Sequence, residues 1–370
     1  MVKTEKYNGI SIITPIFNRV TYCKRLLESF LLTRKPDIPI EYLLVDNSSD
    51  PVVSAQLFAL AQQYNIIYLH SGKGVVCARN TGAENARYQH FLFVDSDCTF
   101  DPDTLIAYAD LIRRKNPACA AGKTVFQGAE SIWWKGIKDM VYFYPFRWCE
   151  WDLTLTWAPS CNLLIRSDVF EQVGRYQSIA SPREVSEDVD ICLRIGKAGF
   201  QIEKCPSGLI YHTTETWNSL NSIISHFYLF GKGQTEMILR HWNFVNALPS
   251  ITGLFWLLLI PLVVTLCLQQ WTASICFGMA IFLNPLIYLI IQWLQPKERP
   301  SLWNLIMHTV AETFYETGKL FRSISRGRLF LLKNHVFSFE MVTGLWIKNI
   351  NLFVTYCLSC LFIFIYLCLK

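Results

Sequence analysis

Short apolar runs alternate with amphipathic stretches through the first hundred residues. Residues 22–32 carry apolar side chains at helical spacing between the first two runs, and Gly72-Lys73-Gly74 opens a second helical stretch before the last run. Strands that alternate with helices predict a parallel sheet with right-handed crossovers. The runs that predict buried strands are Ser11–Pro15, Tyr42–Val45, Ile66–Leu69 and Phe91–Val94.

Acidic side chains follow two of these predicted strands. Asp46 comes after the second strand, and Asp95 and Asp97 come after the fourth. Ligands bind at the carboxyl ends of the strands in open α/β sheets. Two carboxylates on an irregular tip can turn toward one point and offer the oxygen ligands that Mg²⁺ or Mn²⁺ shares with phosphates. The pattern indicates a metal–diphosphate site, and an ordinary polar turn is the alternative that it leaves open.

Six short motifs occur in a fixed order along the chain, and together they resemble those of inverting family 2 glycosyltransferases with the GT-A nucleotide-diphospho-sugar transferase fold. The similarity covers about residues 8–235, although the Asp46 loop lacks the usual glycine and the stretch from Tyr176 to Glu187 is long. The resemblance implies an α/β fold, a Rossmann-like mixed sheet flanked by helices. The motifs are Ile13-Thr14-Pro15, Val45-Asp46-Asn47, Ala78-Arg79-Asn80-Thr81-Gly82, Phe93-Val94-Asp95-Ser96-Asp97, Cys161-Asn162-Leu163-Leu164-Ile165-Arg166 and Ser186-Glu187-Asp188-Val189-Asp190.

The resemblance also implies roles for individual residues. A divalent cation, Mg²⁺ or Mn²⁺, would be held by Asp95 and Asp97. Apart from the resemblance, the position of His212 at the end of a later strand makes it a candidate for a third ligand. Asp188 would be the general base, with Glu187 beside it. The nucleotide sugar would be bound by Thr14, Pro15, Asp46, Arg79, Asp95 and Ser96.

Simpler explanations remain open for three of these residues. Arg79 has the position of a helix-surface arginine, although a glycine-rich helix start also suits a phosphate or ribose. Asp188 opens a helical pattern, where the helix dipole alone favours an acid. His212 fits an ordinary polar strand end.

The C-terminal third of the chain is strongly apolar. Leu248–Leu268, Thr272–Leu294 and Leu352–Leu369 carry no charge, and each is long enough, or nearly so, to cross a hydrocarbon core of about 30 Å. Residues 1–246 carry 25 Lys and Arg against 25 Asp and Glu, so the net charge of +5 lies beyond them. Basic residues favour the cytoplasmic side, which predicts a hairpin of two spans with its tip outward. Buried core helices are the alternative.

We therefore predict four segments: a catalytic domain at 1–246, a transmembrane hairpin at 247–294, a cytoplasmic or interfacial basic segment at 295–351, and an apolar helix at 352–370. The protein would be a multi-pass protein of the cell membrane with a cytoplasmic catalytic domain. The stretch from Ser301 is amphipathic with a basic flank, typical of a membrane interface. A helix packed on the catalytic domain is the alternative.

The 13 cysteines are scattered, and we interpret them as small apolar residues.

Nine aromatic residues lie within residues 133–157. They could contact a sugar acceptor, lie at a membrane interface or pack in the core.

The predicted function is single, metal-assisted transfer of a sugar from a nucleotide-diphosphate donor to a hydroxyl of a glycan or lipid-linked acceptor. The predicted partners are that donor, the acceptor and the lipid bilayer, without nucleic acid.

Two alternatives to this function stay open. A processive polysaccharide synthase would carry Q-x-x-R-W, where this chain has His226 and Leu229 in place of Gln and Arg. A catalytically silent nucleotide-sugar-binding scaffold would not need Asp188. A transporter fails because the predicted spans hold almost no charge.

Overall fold

The computed structural model describes residues 6–151, 154–179, 184–242, 245–247, 259, 261–279, 301–328 and 334–336. These residues fall into two compact units. The first lies within Met1–Ala129 and Met140–Thr216, and the second within Glu130–Asp139 and Trp217–Lys370.

An eight-stranded mixed sheet forms the centre of the first unit, with strand order β3-β2-β1-β4-β7-β6-β8-β5. The pairs among β1, β2, β3 and β4 are parallel, as is β6 with β8, whereas β7 and β5 run antiparallel to their neighbours. The strands are β1 Tyr7–Ile16, β2 Ile40–Asp46, β3 Ile67–His70, β4 Tyr88–Phe93, β5 Cys98–Phe100, β6 Cys119–Gln127, β7 Leu163–Arg166 and β8 Ile202–Thr213.

Helices flank this sheet and bury their apolar faces against it. In the first helix Cys23, Leu26 and Leu27 are fully buried, which is the spacing that one face of a helix requires. The Asp50 side chain caps the second helix by accepting from the Val52 N–H at 2.9 Å. The helices are α1 Val20–Leu31, α2 Pro51–Gln63, α3 Val75–Asn85, α4 Thr104–Lys115, α6 Ser167–Gln172 and α7 Glu187–Lys197.

The structure confirms the predicted strand–helix–strand pattern and the mixed α/β sheet with flanking helices. β1 and β4 run side by side in the middle of the sheet, and apart from Tyr7 and Tyr88 at their starts their apolar residues are almost fully buried. The strands β1, β2 and β4 are parallel, so their C-terminal ends lie at one edge. That edge carries Asp46, the last residue of β2, and the two aspartates that follow β4.

Two long helices dominate the described part of the second unit: α8 Leu220–Arg240 and α9 Leu302–Ser325. A short helix, α5 Ile132–Ile137, and an antiparallel pair, β9 Val245–Ala247 and β10 Asn334–Val336, also belong to it.

The helices α8 and α9 cross at two glycines. A Cβ atom placed on Gly231 would lie 1.7 Å from the carbonyl oxygen of Tyr315, and one on Gly318 would lie 1.9 Å from that of Tyr228. Only glycine allows the two backbones to approach this closely, so both positions fix the crossing.

Helical spacing in the sequence predicts an apolar stripe that includes Ile306 and Phe321. In the structure these two residues are exposed, whereas Leu305, Ala311 and Tyr315 are buried. The helix is amphipathic, as predicted, but its packed face also holds glycine and charged side chains. Its exposed face keeps large apolar residues.

Among the described residues, no helix is both long and apolar enough to span a bilayer. Leu352–Leu369 and most of the other two predicted spans lie outside the described residues, so the spans stay predictions. Within the first two, residues 261–267 and 271–279 are helical.

Cysteines contribute to the core of the first unit, in agreement with their interpretation as small apolar residues. None of those that the structure describes forms a disulfide. Burial raises the pKa of the Cys23, Cys149 and Cys192 thiols to about 12 and that of Cys205 to about 11. These thiols are protonated and unreactive in the folded unit.

Candidate functional site

A cavity of about 470 Å³ opens at the edge of the sheet where β1, β2 and β4 end. This volume lies within the usual range for small-molecule sites. The cavity has both acidic and basic walls. Its lining residues are Pro15, Ile16, Phe17, Arg19, Asn47, Lys73, Gly74, Val75, Arg79, Asp95, Ser96, Asp97, Glu184, Glu187 and His212.

Asp97 and His212 lie on one side of this cavity. The backbone pairs β5 with β8 so that Cys98 faces His212, which brings the Asp97 Oδ1 atom to 3.5 Å from the His212 Nε2 atom. The His212 Nδ1–H donates to the Thr213 carbonyl at 2.9 Å, so Nε2 carries the lone pair when the ring is neutral. The rings of Phe126 and Phe146 pack against this imidazole.

These groups fit a divalent cation. Possible ligand atoms of Asp97, Cys98 and His212 lie within 4.8 Å of one another. Burial raises the pKa of the Cys98 thiol well above its usual value, which leaves the carboxylate and the imidazole as the ready ligands. Burial also tends to raise the pKa of Asp97, but His212 and Arg19 outweigh it and hold that pKa below its usual value. The carboxylate is therefore ionised.

Arg79 joins two acidic residues across the cavity. Its Nη2 donates to the Asp95 Oδ1 at 2.8 Å and its Nη1 to the Glu187 Oε1 at 2.7 Å, while its guanidinium lies 5.2 Å from the centre of the Tyr176 ring. The Arg79 side chain is only 3% exposed. This contradicts the alternative of a helix-surface arginine. Asp95, predicted both as a metal ligand and as a nucleotide contact, is paired with Arg79.

Asp188 follows Glu187 in the first turn of α7, and its Oδ1 accepts from the Val189 N–H at 2.8 Å. It is not among the residues that line the cavity. Burial, and next the negative charge of Glu187, raise the pKa of Asp188 to about 7. A carboxylate with this pKa takes up or releases a proton near neutral pH, as a general base must.

Thr14 and Asp46 lie behind the cavity wall, whereas Pro15 and Asn47 line it. The Thr14 and Tyr42 hydroxyl groups share a hydrogen bond of 2.8 Å. The buried Asp46 carboxylate accepts from the Ser48 N–H at 2.8 Å and the Tyr68 O–H at 2.7 Å.

Burial tends to raise the pKa of Asp46, but hydrogen bonds from Ser48, Ser54 and Tyr68 together hold it below its usual value, so Asp46 is an ionised group close to the site. The structure thus gathers Pro15, Arg79, Asp95, Ser96, Asp97, Glu187 and His212 at the cavity and keeps Thr14, Asp46 and Asp188 next to it.

Four polar residues of the cavity wall were not singled out from the sequence as site residues: Arg19, Asn47, Lys73 and Glu184. Arg19 and Asn47 follow the ends of β1 and β2, and Lys73 precedes α3. Their position at the C-terminal ends of strands is a signal that could have found three of them. Glu184 lies in the long stretch before α7, where the residues cannot be matched one by one to the motifs of the family.

The aromatic residues of 133–157 divide between the two units. In the first unit Trp148 and Phe143 are buried, and Trp148 packs on Trp157 at 5.5 Å between ring centres. In the second unit Trp133 lies 5.7 Å from Trp303 of α9. Core packing accounts for Trp148 and Phe143, and a role at an acceptor or a membrane stays a prediction for the partly buried Trp133 and Trp157.

Comparison with known proteins finds similarities within the first unit. A family model described as "Glycosyl transferase family 2" matches residues 11–174. The pre-mycofactocin glycosyltransferase of Mycobacterium tuberculosis is 22% identical over 251 residues, which is 64% of this chain and 48% of that protein. The succinoglycan biosynthesis protein ExoM of Rhizobium meliloti is 23% identical over 182 residues, which is 48% of this chain and 55% of that protein.

A similar solved structure is the mannosyltransferase of Pyrobaculum calidifontis in complex with GDP-Man and Mn²⁺, with 15% identity and a TM-score of 0.48 over 63% of this chain and 65% of that one. The chain spans about half the length of the curated relatives that it matches. The family match covers the strands and helices that build the cavity from Pro15 to Asp97. Residues 11–174 of the chain are therefore similar to family 2 glycosyltransferases.

Proposed function

We propose that this chain is a membrane-anchored, inverting glycosyltransferase that moves a sugar from a nucleotide-diphosphate donor to a hydroxyl of a glycan or lipid-linked acceptor, with one addition per cycle. The observation that carries the proposal is one cavity that combines a cation-ligand pair, Asp97 and His212, with a neighbouring carboxyl group, Asp188, whose pKa is about 7. Such a combination suits a reaction that needs both a stabilised leaving group and a base.

The donor would occupy the cavity with its diphosphate toward Asp97 and His212. A divalent cation bound there would stabilise the charge that builds on the diphosphate as it leaves. Arg19, Lys73 and Arg79 also line this space and supply positive charge for the phosphates. Thr14 and Asp46 support the wall on which the nucleotide would lie.

Asp188 would take the proton of the acceptor hydroxyl. A bond then forms from that oxygen to the anomeric carbon, the bond from this carbon to the diphosphate oxygen breaks, and the electron pair leaves with the nucleoside diphosphate. Attack from the face opposite the leaving group inverts the anomeric centre. Arg79 fixes Glu187 next to the base, so Glu187 acts by position and charge.

The second unit would hold the enzyme at a membrane. This part of the proposal rests on the three uncharged stretches of the sequence and on the exposed apolar residues Leu302, Ile306, Phe321 and Ile324 of α9. Arg328 follows the apolar face, where it suits anionic headgroups.

The test is incubation of the detergent-purified chain with a panel of nucleotide sugars, with release of free nucleoside diphosphate as the readout. We expect at least one donor to be hydrolysed or transferred in a manner that needs Mg²⁺ or Mn²⁺ and is lost in Asp188→Asn. Donor binding without turnover in the presence of membrane-lipid and glycan acceptors would favour the silent scaffold instead. Long polymer products would favour a processive synthase.

A further inference from the structure

Arg19 pairs with the carboxylate that would hold the metal. Its Nη1 lies 2.5 Å from the Asp97 Oδ2, while the other oxygen of the same carboxylate faces His212. The Asp97 side chain is 9% exposed, and a buried carboxylate needs a compensating charge. In the protein without metal, Arg19 supplies that charge.

The backbone of Arg19 is held in place by hydrogen bonds, whereas its guanidinium group is free to move. Its carbonyl accepts from the Cys23 N–H at 3.0 Å in the first turn of α1, and the preceding Asn18 N–H donates to the Ser48 hydroxyl at 2.9 Å. The Arg19 side chain is nevertheless 40% exposed and lies 5.6 Å from the Tyr22 ring. Its guanidinium can therefore change partner while its backbone stays in place.

A divalent cation on Asp97 and the guanidinium of Arg19 would compete for one carboxylate. Two positive groups that close together repel each other, so binding of the cation would release Arg19. The side chain already lines the cavity, and the diphosphate of a donor would offer it a negative partner there.

We propose that Arg19 is a switching counter-ion: it neutralises Asp97 when the metal is absent and moves to the donor diphosphate when the metal binds. The role in diphosphate binding rests on the proposed function. The competition with the metal does not depend on it. By this exchange, metal and nucleoside diphosphate each help the other to bind.

The test measures Mn²⁺ affinity and nucleoside diphosphate affinity separately, by calorimetry, with UDP and GDP as probes. In Arg19→Gln we expect Mn²⁺ alone to bind about tenfold more tightly, because its competitor is gone. With Mn²⁺ saturating, we expect the nucleoside diphosphate to bind about tenfold more weakly. In the natural chain, bound nucleoside diphosphate raises the affinity for Mn²⁺ by some factor. By thermodynamic linkage, this factor should be about tenfold smaller in Arg19→Gln.

Arg25 of the same helix provides a matched control. It lies 5.4 Å from the same Tyr22 ring, but it pairs with Glu215 at 2.8 Å and does not line the cavity. Arg25→Gln removes the same charge, so both affinities should stay within about twofold. Arg19→Lys keeps a positive charge and should return the Mn²⁺ affinity toward that of the natural chain.

Opposite changes in the two affinities distinguish a switching counter-ion from a structural residue, whose loss would weaken both. Unchanged or weaker Mn²⁺ binding in Arg19→Gln, with the natural melting temperature, would overturn the proposal. If neither UDP nor GDP binds the natural chain, the proposed function and the second role of Arg19 both fail, while the Mn²⁺ titration still decides the competition.

Discussion

Replacing Asp188 by Asn should abolish transfer and make the protein more stable at alkaline pH. The pKa of Asp188 is raised from 3.8 to about 7, so the folded state binds a proton more tightly than the unfolded state does. The contribution of Asp188 to the free energy of unfolding is fully present below about pH 4 and is lost as the pH rises through about 7. Above pH 7 the buried charge costs up to about 4 kcal/mol at 1.36 kcal/mol per pKa unit.

Asparagine keeps the shape of the side chain and an oxygen that can accept from the Val189 N–H, but it carries no charge. We expect Asp188→Asn to gain about 1–4 kcal/mol over the natural chain at pH 8 and nothing at pH 4. For a unit of about 200 residues, each kcal/mol of added stability raises the melting temperature by about 2–4 °C. Transfer should fall by about 10²–10⁴-fold, while donor affinity remains.

Melting curves between pH 4 and pH 8, together with single-turnover rates, test this reasoning. Asp190→Asn is the matched control in the same helix turn. The Asp190 carboxylate accepts from Arg194 at 2.8 Å, so its loss should lower the melting temperature at pH 8. If Asp188→Asn also melts earlier than the natural chain at pH 8, Asp188 serves as a helix cap and the base lies elsewhere.

Three further predictions concern the metal, the second unit and the topology. Asp97→Asn, like a chelator, should remove the metal-dependent part of nucleoside diphosphate binding, measured by calorimetry, and unchanged affinity would exclude Asp97 as a ligand. Gly231→Ala should destabilise the second unit by about 1–3 kcal/mol or more, because the added Cβ meets a carbonyl oxygen of the facing helix. Melting curves would show the lower stability. A cysteine at Gln270 should react with an impermeant reagent from outside the cell and one at Arg328 should not, relative to the parent chain; the reverse pattern would contradict the predicted topology.

Sequence reasoning succeeded where periodicity carries the information. Strands β1 to β4 and the helices α1 and α3 follow from apolar runs and helical spacing, because burial on both faces of a parallel sheet enforces long apolar runs. The position of Asp46, Asp95 and Asp97 at strand ends followed in the same way. These local patterns also placed α7 and its acidic first turn.

Contacts between distant parts of the chain were not visible in the same way. The antiparallel register of β5 and β8 brings His212 to Asp97, and no local pattern encodes that register. The ion pairs of Arg79 with Asp95 and Glu187 likewise join residues far apart in the chain, and no local pattern reveals them. The direction of the Arg19 side chain depends on the loop after β1, where no hydrophobic period exists.

The buried thiols of the first unit give a built-in measure of its opening. Cys23, Cys119, Cys192 and Cys205 lie on different helices and strands around the sheet, and each is almost fully buried. An alkylating reagent reaches such a thiol only when its surroundings open, so the labelling rate reports the free energy of that opening. Mass spectrometry of each cysteine would then map local stability across the domain in the natural chain, with and without nucleotide, and without an introduced probe.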